Sequence, residues 1–600
     1  MLILIFLCYN LVDFIDNVEM SIMDFLKKYI RIYWKKYIIV LIFLTLEAIC
    51  DLLQPTIMSK IIDNGVAAKN LNYVFHMGGI MLLVTVIGAV NAATRNIISS
   101  RVSQKFGTEL RGDLFKKVQS FSFDNINKFQ GATLITRLTN DVTQVQNFAH
   151  GMMRIFVKAP ILCIGSLVMA VLLNPPMALI LIGVIPVIFF IIYLNVRISY
   201  PFFVKIQIAL DKLNEVMREY LSGVRVVKAF NRFAYELDEF KISNDNLTNA
   251  SITGMKVVSI FNPIITLVIN LGIVVILWVG GIKVNNGSMQ VGKIIAFINY
   301  MTQILFSLVM MSHVFTMFIR AKASAERIGE VFDQENSLRE IDSPADVKNI
   351  KGKIEFKNVD FTYSGSLNPV LKNISFVCNP GEMLAIVGST GSGKTSLINL
   401  IPRFYDVTSG ELKIDEINVN MMNLKELRDI IAIVPQKTML FSGNILENIK
   451  WGNENASVEE VQDAAKIAQA HEFIMSFPEK YTTQLGQGGV NLSGGQKQRI
   501  SLARALLKKP KILILDDSTS AVDMTTEGKI RRGLKLYLKN TTCIFIAQRI
   551  TTIREANRII VLDNGMISAI GTHEELMKNS DIYKDIYYSQ MGREDAEYGK

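Results

Sequence analysis

Six stretches of roughly twenty or more apolar residues lie in the first half of this chain, at about 37–61, 74–98, 152–173, 177–198, 260–282 and 292–318. A helix needs ~20 apolar residues to cross a bilayer core. Inside that core each backbone polar group must be satisfied within its own segment. The first half is therefore expected to be a set of six membrane-spanning helices. The connections alternate in character. Those after spans one, three and five are short and nearly free of basic residues. Those after spans two and four are long and basic, with Arg101, Lys105, Arg111, Lys116, Lys117, Lys128 and Arg137 in the first and Lys205, Lys212, Arg218, Arg225, Lys228, Arg232 and Lys241 in the second. This asymmetry assigns both long connections and both termini to the cytoplasm. Helical spacing of apolar positions continues through 99–122, 132–150, 203–230 and 234–258. The spans are expected to run on as two helical hairpins, with tips near 123–127 and 231–235.

Composition agrees. Half of the 600 residues are hydrophobic and 20% are charged, and mean hydropathy is +0.29. The net charge of +10 fits a positive-inside bias, and no motif dedicated to nucleic acid accompanies it. Cys8, Cys50, Cys163, Cys378 and Cys543 are scattered without C-x-x-C spacing, which implies neither a zinc site nor a disulfide framework. The first apolar residues lack a basic flank and a small-residue cleavage site, so no signal peptide is expected. Met20 or Met23 is an alternative start to Met1, because the basic, amphipathic stretch 24–36 follows. It reads as an interfacial helix along the inner leaflet.

Two features within the spans invite a functional reading. Glu47 and Asp51 stand four residues apart on one face of the first span. Carboxylates at membrane depth face a partner or a cavity. They form either an interhelical contact, to Arg95 or Asn91, or an intramembrane substrate site for a cation or proton. Met301, Met310, Met311 and Met317 in span six suit either helix packing or a promiscuous apolar pocket.

The second half has a soluble pattern. Residues 354–363 alternate with period two, as a strand does. Residues 383–388 read as a buried strand running into Gly388-Ser389-Thr390-Gly391-Ser392-Gly393-Lys394-Thr395, a complete G-x-x-x-x-G-K-[ST] phosphate loop, and 396–401 continue as a helix. Backbone N–H groups of such a loop and the helix N-terminus attract phosphates. Lys394 is placed to reach the β- and γ-phosphates, and Thr395 to take a Mg2+ position. Residues 512–517 form an apolar strand ending in Asp516 and Asp517, with Asp516 the expected magnesium-organising acid.

With these motifs in order, the chain resembles an ATP-binding-cassette (ABC) exporter half-transporter over about residues 24–590. The resemblance implies an α-helical six-span transmembrane domain of exporter type, followed by an α/β P-loop NTPase domain with an ABC signature helical subdomain. The expected segments are an N-terminal segment (1–36), the transmembrane domain (37–325), a linker (326–353), the ATP-binding cassette (354–589) and a tail (590–600). It further implies that Ser493, Gly494, Gly495 and Gln496 are the signature, acting on ATP held by the opposite subunit. Gln436 matches the glutamine loop that senses Mg2+, Tyr363 the aromatic that stacks on adenine, and Asp523 the loop that signals between sites.

Two positions depart from the family pattern. Asp517 stands where the family carries the glutamate that polarises the attacking water, and Gln548 where it carries a histidine. Aspartate is one methylene shorter, and a misplacement of ~1 Å can lower a rate ~100-fold. Glutamine cannot titrate near neutral pH. The pattern resembles the degenerate-site subunit of heterodimeric bacterial exporters, whose partner half-transporter supplies the active site. The expectation is an ATP- and Mg2+-dependent exporter of amphiphilic small molecules, drugs, lipids or peptides in a bacterial plasma membrane. The alternatives are a slow homodimer, or a membrane-tethered regulatory ATPase that transports nothing. An abundance of Lys, Ile and Asn fits an AT-rich bacterial genome, and the substrate is not readable from the sequence.

Overall fold

The computed structural model describes residues 20–338, 345, 349–537, 541–546 and 553–591. Its contacts divide the chain into two units. The first comprises residues up to Gln119 together with Gly131–Gln334. The second comprises Ser120–Gln130 and everything from Glu335 onward.

In the first unit, six helices among the described residues are long and apolar enough to cross a membrane. Helix α1 (Met20–Lys60) continues through a π-turn, Ile61–Val66, and α2 spans Leu71–Gln119. The short α3 (Phe123–Phe129) belongs to the second unit. Then follow α4 (Gly131–Leu173), α5 (Pro175–Ala229), α6 (Phe233–Asn285) and α7 (Val291–Asp333). The 49 residues of α2 make a rod about 74 Å long, far beyond a ~30 Å hydrocarbon core. The expected hairpin extensions are therefore the same helices as the spans.

Stretch 24–36 is continuous with the first span, because α1 is unbroken from Met20 and no proline or glycine interrupts it before Pro55. Helix α7 runs past 325 to Asp333, with Ala325, Ile328 and Val331 on its buried face. Much of the expected linker and tail, and residues 1–19, lie outside the described residues.

Pro55 shows how the helices repair one another. It has no N–H to give to the carbonyl of Asp51, and Gln303 of α7 donates to that carbonyl instead at 3.2 Å. Tyr300, wholly buried, donates to the next carbonyl, Leu52, at 2.8 Å. At the other end of α1, Asp63 accepts from Gly292 N–H at 2.6 Å, capping the start of α7. Met301 packs on Gly272 and Met317 on Gly151, whereas Met310 and Met311 are exposed.

In the second unit, β1 (Ile354–Phe361) and β2 (Leu371–Cys378) precede β3 (Met383–Val387) and α8 (Lys394–Leu400). Next come β4 (Ser409–Ile414), β5 (Ile417–Asn418), α9 (Leu424–Asp429), β6 (Ile431–Val434), β7 (Gly443–Asn444) and α10 (Ile445–Lys450). Then follow α11 (Val458–Ile467), α12 (His471–Met475), β8 (Gln484–Leu485), α13 (Gly494–Leu507), β9 (Ile512–Asp516), α14 (Met524–Tyr537) and β10 (Thr542–Ile546). The described residues end with β11 (Arg558–Asp563), β12 (Met566–Gly571), α15 (His573–Asn579) and α16 (Asp581–Met591).

The main sheet has the order β12-β11-β3-β10-β9-β6, parallel except at the β12 edge, and an antiparallel sheet has the order β2-β1-β4-β5. Strand β9 explains the continuous apolar runs in the sequence: Ile512 and Ile514 enter one core, Leu513 and Leu515 the other. A strand buried on both faces cannot alternate polar with apolar.

Candidate functional site

The parallel strands end on one edge of the sheet, where ligands of open α/β sheets bind. Strand β10 lies between β3 and β9, and Ile546 pairs with both Ile386 and Asp516. This register sets the loop after β3 and the acids after β9 around one cleft of about 640 Å³. Its lining includes Gly388, Ser389, Thr390, Gly391, Gly393, Lys394, Thr395, Gln436, Asp516 and Asp517. Ser392 is buried behind them.

Gly393 turns the chain into α8 with φ +99°, and a Cβ there would stand 2.8 Å from Leu371 Cδ2. Both facts require glycine. The Lys394 ammonium donates to the carbonyls of Gly388 at 2.9 Å and Ser389 at 2.6 Å. Burial lowers its pKa, against the opposing pull of Asp516 and Asp517. Thr395 Oγ1 donates to Asp516 Oδ2 at 3.3 Å. Burial raises the pKa of Asp516, and Asp517 adds to that rise, while Thr395 and Lys394 oppose it.

Asp517 sits just past β9 with φ +46° and is 7% exposed. Its main chain is tied on both sides. The N–H donates to Ile546 O at 3.0 Å, and the carbonyl accepts from Ser520 Oγ at 3.0 Å and Gln498 Nε2 at 3.5 Å. Its carboxylate accepts from Gln436 Nε2 at 3.3 Å. Gln548 lies outside the described residues.

Tyr363 does not line the cleft. Its hydroxyl bonds Ser396 Oγ at 2.8 Å, and its ring meets Phe361 and Tyr405 edge-on. Ser493, Gly494, Gly495 and Gln496 also lie outside the lining. They form the N-terminus of α13, where Ser493 and Gln496 make a reciprocal capping box. A Cβ on Gly495 would come within 2.6 Å of Ala521 O, so this turn is glycine because a neighbouring loop touches its backbone. Asp523 is exposed and caps α14, accepting from Thr526 N–H at 2.9 Å, and that bond lowers its pKa.

Two family models match: ABC transporter transmembrane region over residues 37–308 and ABC transporter over 371–520. The Bacillus subtilis (strain 168) ABC transporter ATP-binding protein YfiB is 42% identical over 559 residues, 93% of this chain and 97% of that one. The chain belongs to the ABC transporter family. An ATP-dependent lipid A-core flippase of Syntrophus aciditrophicus (strain SB) is 33% identical over 82% of each chain. The fold matches a bacterial Atm1-family ABC exporter solved with ATP bound, at TM-score 0.78 and 24% identity, covering 93% of this chain and 99% of that one. The protein is thus an ABC half-transporter of exporter-type fold, multi-pass, with its ATP-binding domain in the cytoplasm.

Within the transmembrane domain, Glu47 is 5% exposed and paired with two cations: Arg95 Nε at 2.7 Å and Lys158 Nζ at 2.5 Å. Lys158 also reaches Asp51 at 2.9 Å. The interhelical contact expected at Glu47 is present, to Arg95. Lys158 had not been anticipated.

Gln498 is the functional candidate that motif reading passes over. It is 5% exposed. Its Oε1 accepts from Ala521 N–H at 3.1 Å, and its Nε2 reaches Ser520 Oγ at 3.3 Å and the Asp517 carbonyl. One amide thus joins α13, the acid after β9 and the loop that follows it. A signal was available. Gln498 shares the buried face of α13 with Ser501, Leu502 and Ala505, and a polar residue at a core position needs partners.

Proposed function

We propose that this chain is the ATP-retaining half of a two-chain exporter, whose partner half-transporter carries the faster site. The observation that carries the reading is the tethered main chain of Asp517. Its N–H and carbonyl are both held, so the backbone cannot advance to make up for a side chain one methylene short of glutamate. Gln548 supports the same conclusion from sequence, because an amide cannot exchange a proton where the family has an imidazole.

In this reading Lys394 and the loop N–H groups hold the phosphates, and Tyr363 swings from its Ser396 contact to stack on adenine. Ser493, Gly494, Gly495 and Gln496 meet the partner's ATP, and Asp523 passes closure between the sites. Thr395, Gln436 and Asp516 offer oxygen donors to Mg2+, which when bound would neutralise phosphate charge. Thr395 and Asp516 already stand 3.3 Å apart. Among the described residues no cluster of three His, Cys, Asp or Glu side chains exists that could cage a metal. One carboxylate plus substrate oxygens is a common way to hold this ion. Tighter binding of ATP to the closed pair than to the open one turns the cavity outward. The flippase among the relatives supports an amphiphilic cargo.

The test is a gain of function. Asp517→Glu with Gln548→His, in chain purified with its partner, should raise ATP turnover, and neither change should be needed for ATP binding. Brisk hydrolysis by the unmodified chain alone would defeat the proposal in favour of a homodimer.

A further inference from the structure

The phosphate cleft has a wall that no nucleotide motif supplies. Its lining includes Ile586 and Gln590 of α16, together with Ile546 at the end of β10 and Ile553. Lys394, Asp516 and Asp517 belong to the same lining, whereas Tyr363 does not. The cleft is therefore the phosphate end of the nucleotide site, and α16 borders the phosphates rather than the adenine. At about 640 Å³ it has the volume of a complete small-molecule pocket, so a ligand that fills it meets every wall.

Helix α16 is anchored well enough to present a side chain there. Ser580 caps its start, accepting from Tyr583 N–H at 3.3 Å. Tyr583 is wholly buried in the core of the second unit, and its hydroxyl bonds His573 Nδ1 of α15 at 2.8 Å. The His573 and Tyr587 rings stand 5.6 Å apart. Tyr583, Ile586 and Gln590 are spaced i, i+3 and i+7, which is one face of a helix. The face that enters the core at Tyr583 thus runs out along the cleft, apolar and half-buried at Ile586, polar and exposed at Gln590. An amide suits that place. It offers two N–H donors to a phosphate oxygen, and it adds no negative charge beside Asp516 and Asp517.

We propose that Gln590 is a nucleotide-binding residue, donating its side-chain amide to the terminal phosphate of the ATP held by this chain, with Ile586 closing the wall beneath it. Helix α16 then slows the loss of ATP more than the loss of ADP, whose terminal phosphate lies deeper in the loop. The proposal rests on the reading of this cleft as an ATP holder and deepens it by naming a residue that does the holding. A non-hydrolysable nucleotide keeps turnover out of the test. Brisk hydrolysis with normal release from the variants and normal release with slow hydrolysis are therefore separate results, and the failures of the two readings can be told apart.

The test is nucleotide release by the full-length chain in detergent with Mg2+, followed by stopped-flow fluorescence of mant-labelled AMP-PNP and of mant-labelled ADP, each chased with excess ATP. Gln590→Ala should speed AMP-PNP release about tenfold, the low end for a hydrogen bond to a charged group because the side chain is exposed, and should change ADP release less than about twofold. Gln590→Glu should speed AMP-PNP release further, because it sets a carboxylate against the phosphate. Ser589→Ala, next to Gln590 on the helix but not in the cleft lining, should release both nucleotides as the parent does. Gln590 is exposed, so each variant should melt with the parent. AMP-PNP release unchanged in Gln590→Ala and Gln590→Glu would overturn the assignment. Equal acceleration of AMP-PNP and ADP would also overturn it, because α16 would then be a general cover with no contact to the terminal phosphate. The same acceleration in Ser589→Ala would count against it too, by tracing the effect to the helix end instead of the amide.

Discussion

Replacing Gln498 with leucine tests whether one buried amide ties the nucleotide-side motifs together. Leucine keeps roughly the same volume, so the change removes hydrogen bonds with little cavity. The bond from Ala521 N–H to Oε1, at 3.1 Å, is well formed and worth about 1 kcal/mol net. The two contacts from Nε2, at 3.3 and 3.5 Å, lie at the long edge of hydrogen bonding and together add about as much again at most. The total is about 1.5–2 kcal/mol. For a domain of this size 1 kcal/mol moves Tm by about 2–4 °C, so thermal unfolding of the purified chain should shift down by about 3–8 °C. ATP affinity should survive, because Lys394, Thr395 and the N–H groups of the phosphate loop do not touch Gln498. Turnover measured with the partner should fall, because Asp517 and the 520–523 loop lose their common tether. Gln498→Glu sharpens the argument. It keeps the acceptor for Ala521 but sets a carboxylate against the Asp517 carbonyl, so it should be at least as unstable as the leucine variant. A leucine variant melting within about 1 °C of the parent would refute the tether, as would loss of ATP binding without loss of stability.

Two further predictions address other parts of the fold. The Phe123 ring lies 4.8 Å from Phe404 and 6.1 Å from Tyr405, and such pairs contribute about 0.5–1.5 kcal/mol each. Phe123→Ala should speed amide exchange across 120–130 by about tenfold and impair transport while leaving ATP binding intact; exchange unchanged in mass spectrometry would show that these rings do not hold α3. Burial tends to raise the pKa of Glu382, but Arg558 and the Asn379 N–H outweigh it and hold the carboxyl below its ordinary 4.5. A carboxyl depressed in the folded state stabilises above its unfolded pKa and loses that contribution as pH falls through the folded one. Glu382→Gln should therefore melt lower than the parent at pH 7, with the gap closing under acid; a gap that stays constant with pH would rule out the ion pair as its source.

The parts of this protein that the sequence made legible are those in which one segment carries its own signal. The phosphate loop, the apolar strand ending in Asp516 and the six spans each rest on local spacing, and each lies where that spacing puts it. The fall in apolar content near 325 marks a change of surroundings and not a helix end, since α7 continues on buried Ile328 and Val331. A basic amphipathic face likewise says nothing about whether a helix stops, and 24–36 runs unbroken into the first span.

The intramembrane charges show the deeper limit. Glu47 and Asp51 are conspicuous as neighbours on one helix turn, but Lys158 is 111 residues from Glu47, and pairing across that distance is a property of helix packing. Sequence supplies the individual charges, whereas function at membrane depth depends on their local sum. Here α2 and α4 bring Arg95 and Lys158 against Glu47 and Asp51, and a pair of acids that reads as a cation site in isolation is already paired with cations of neighbouring helices.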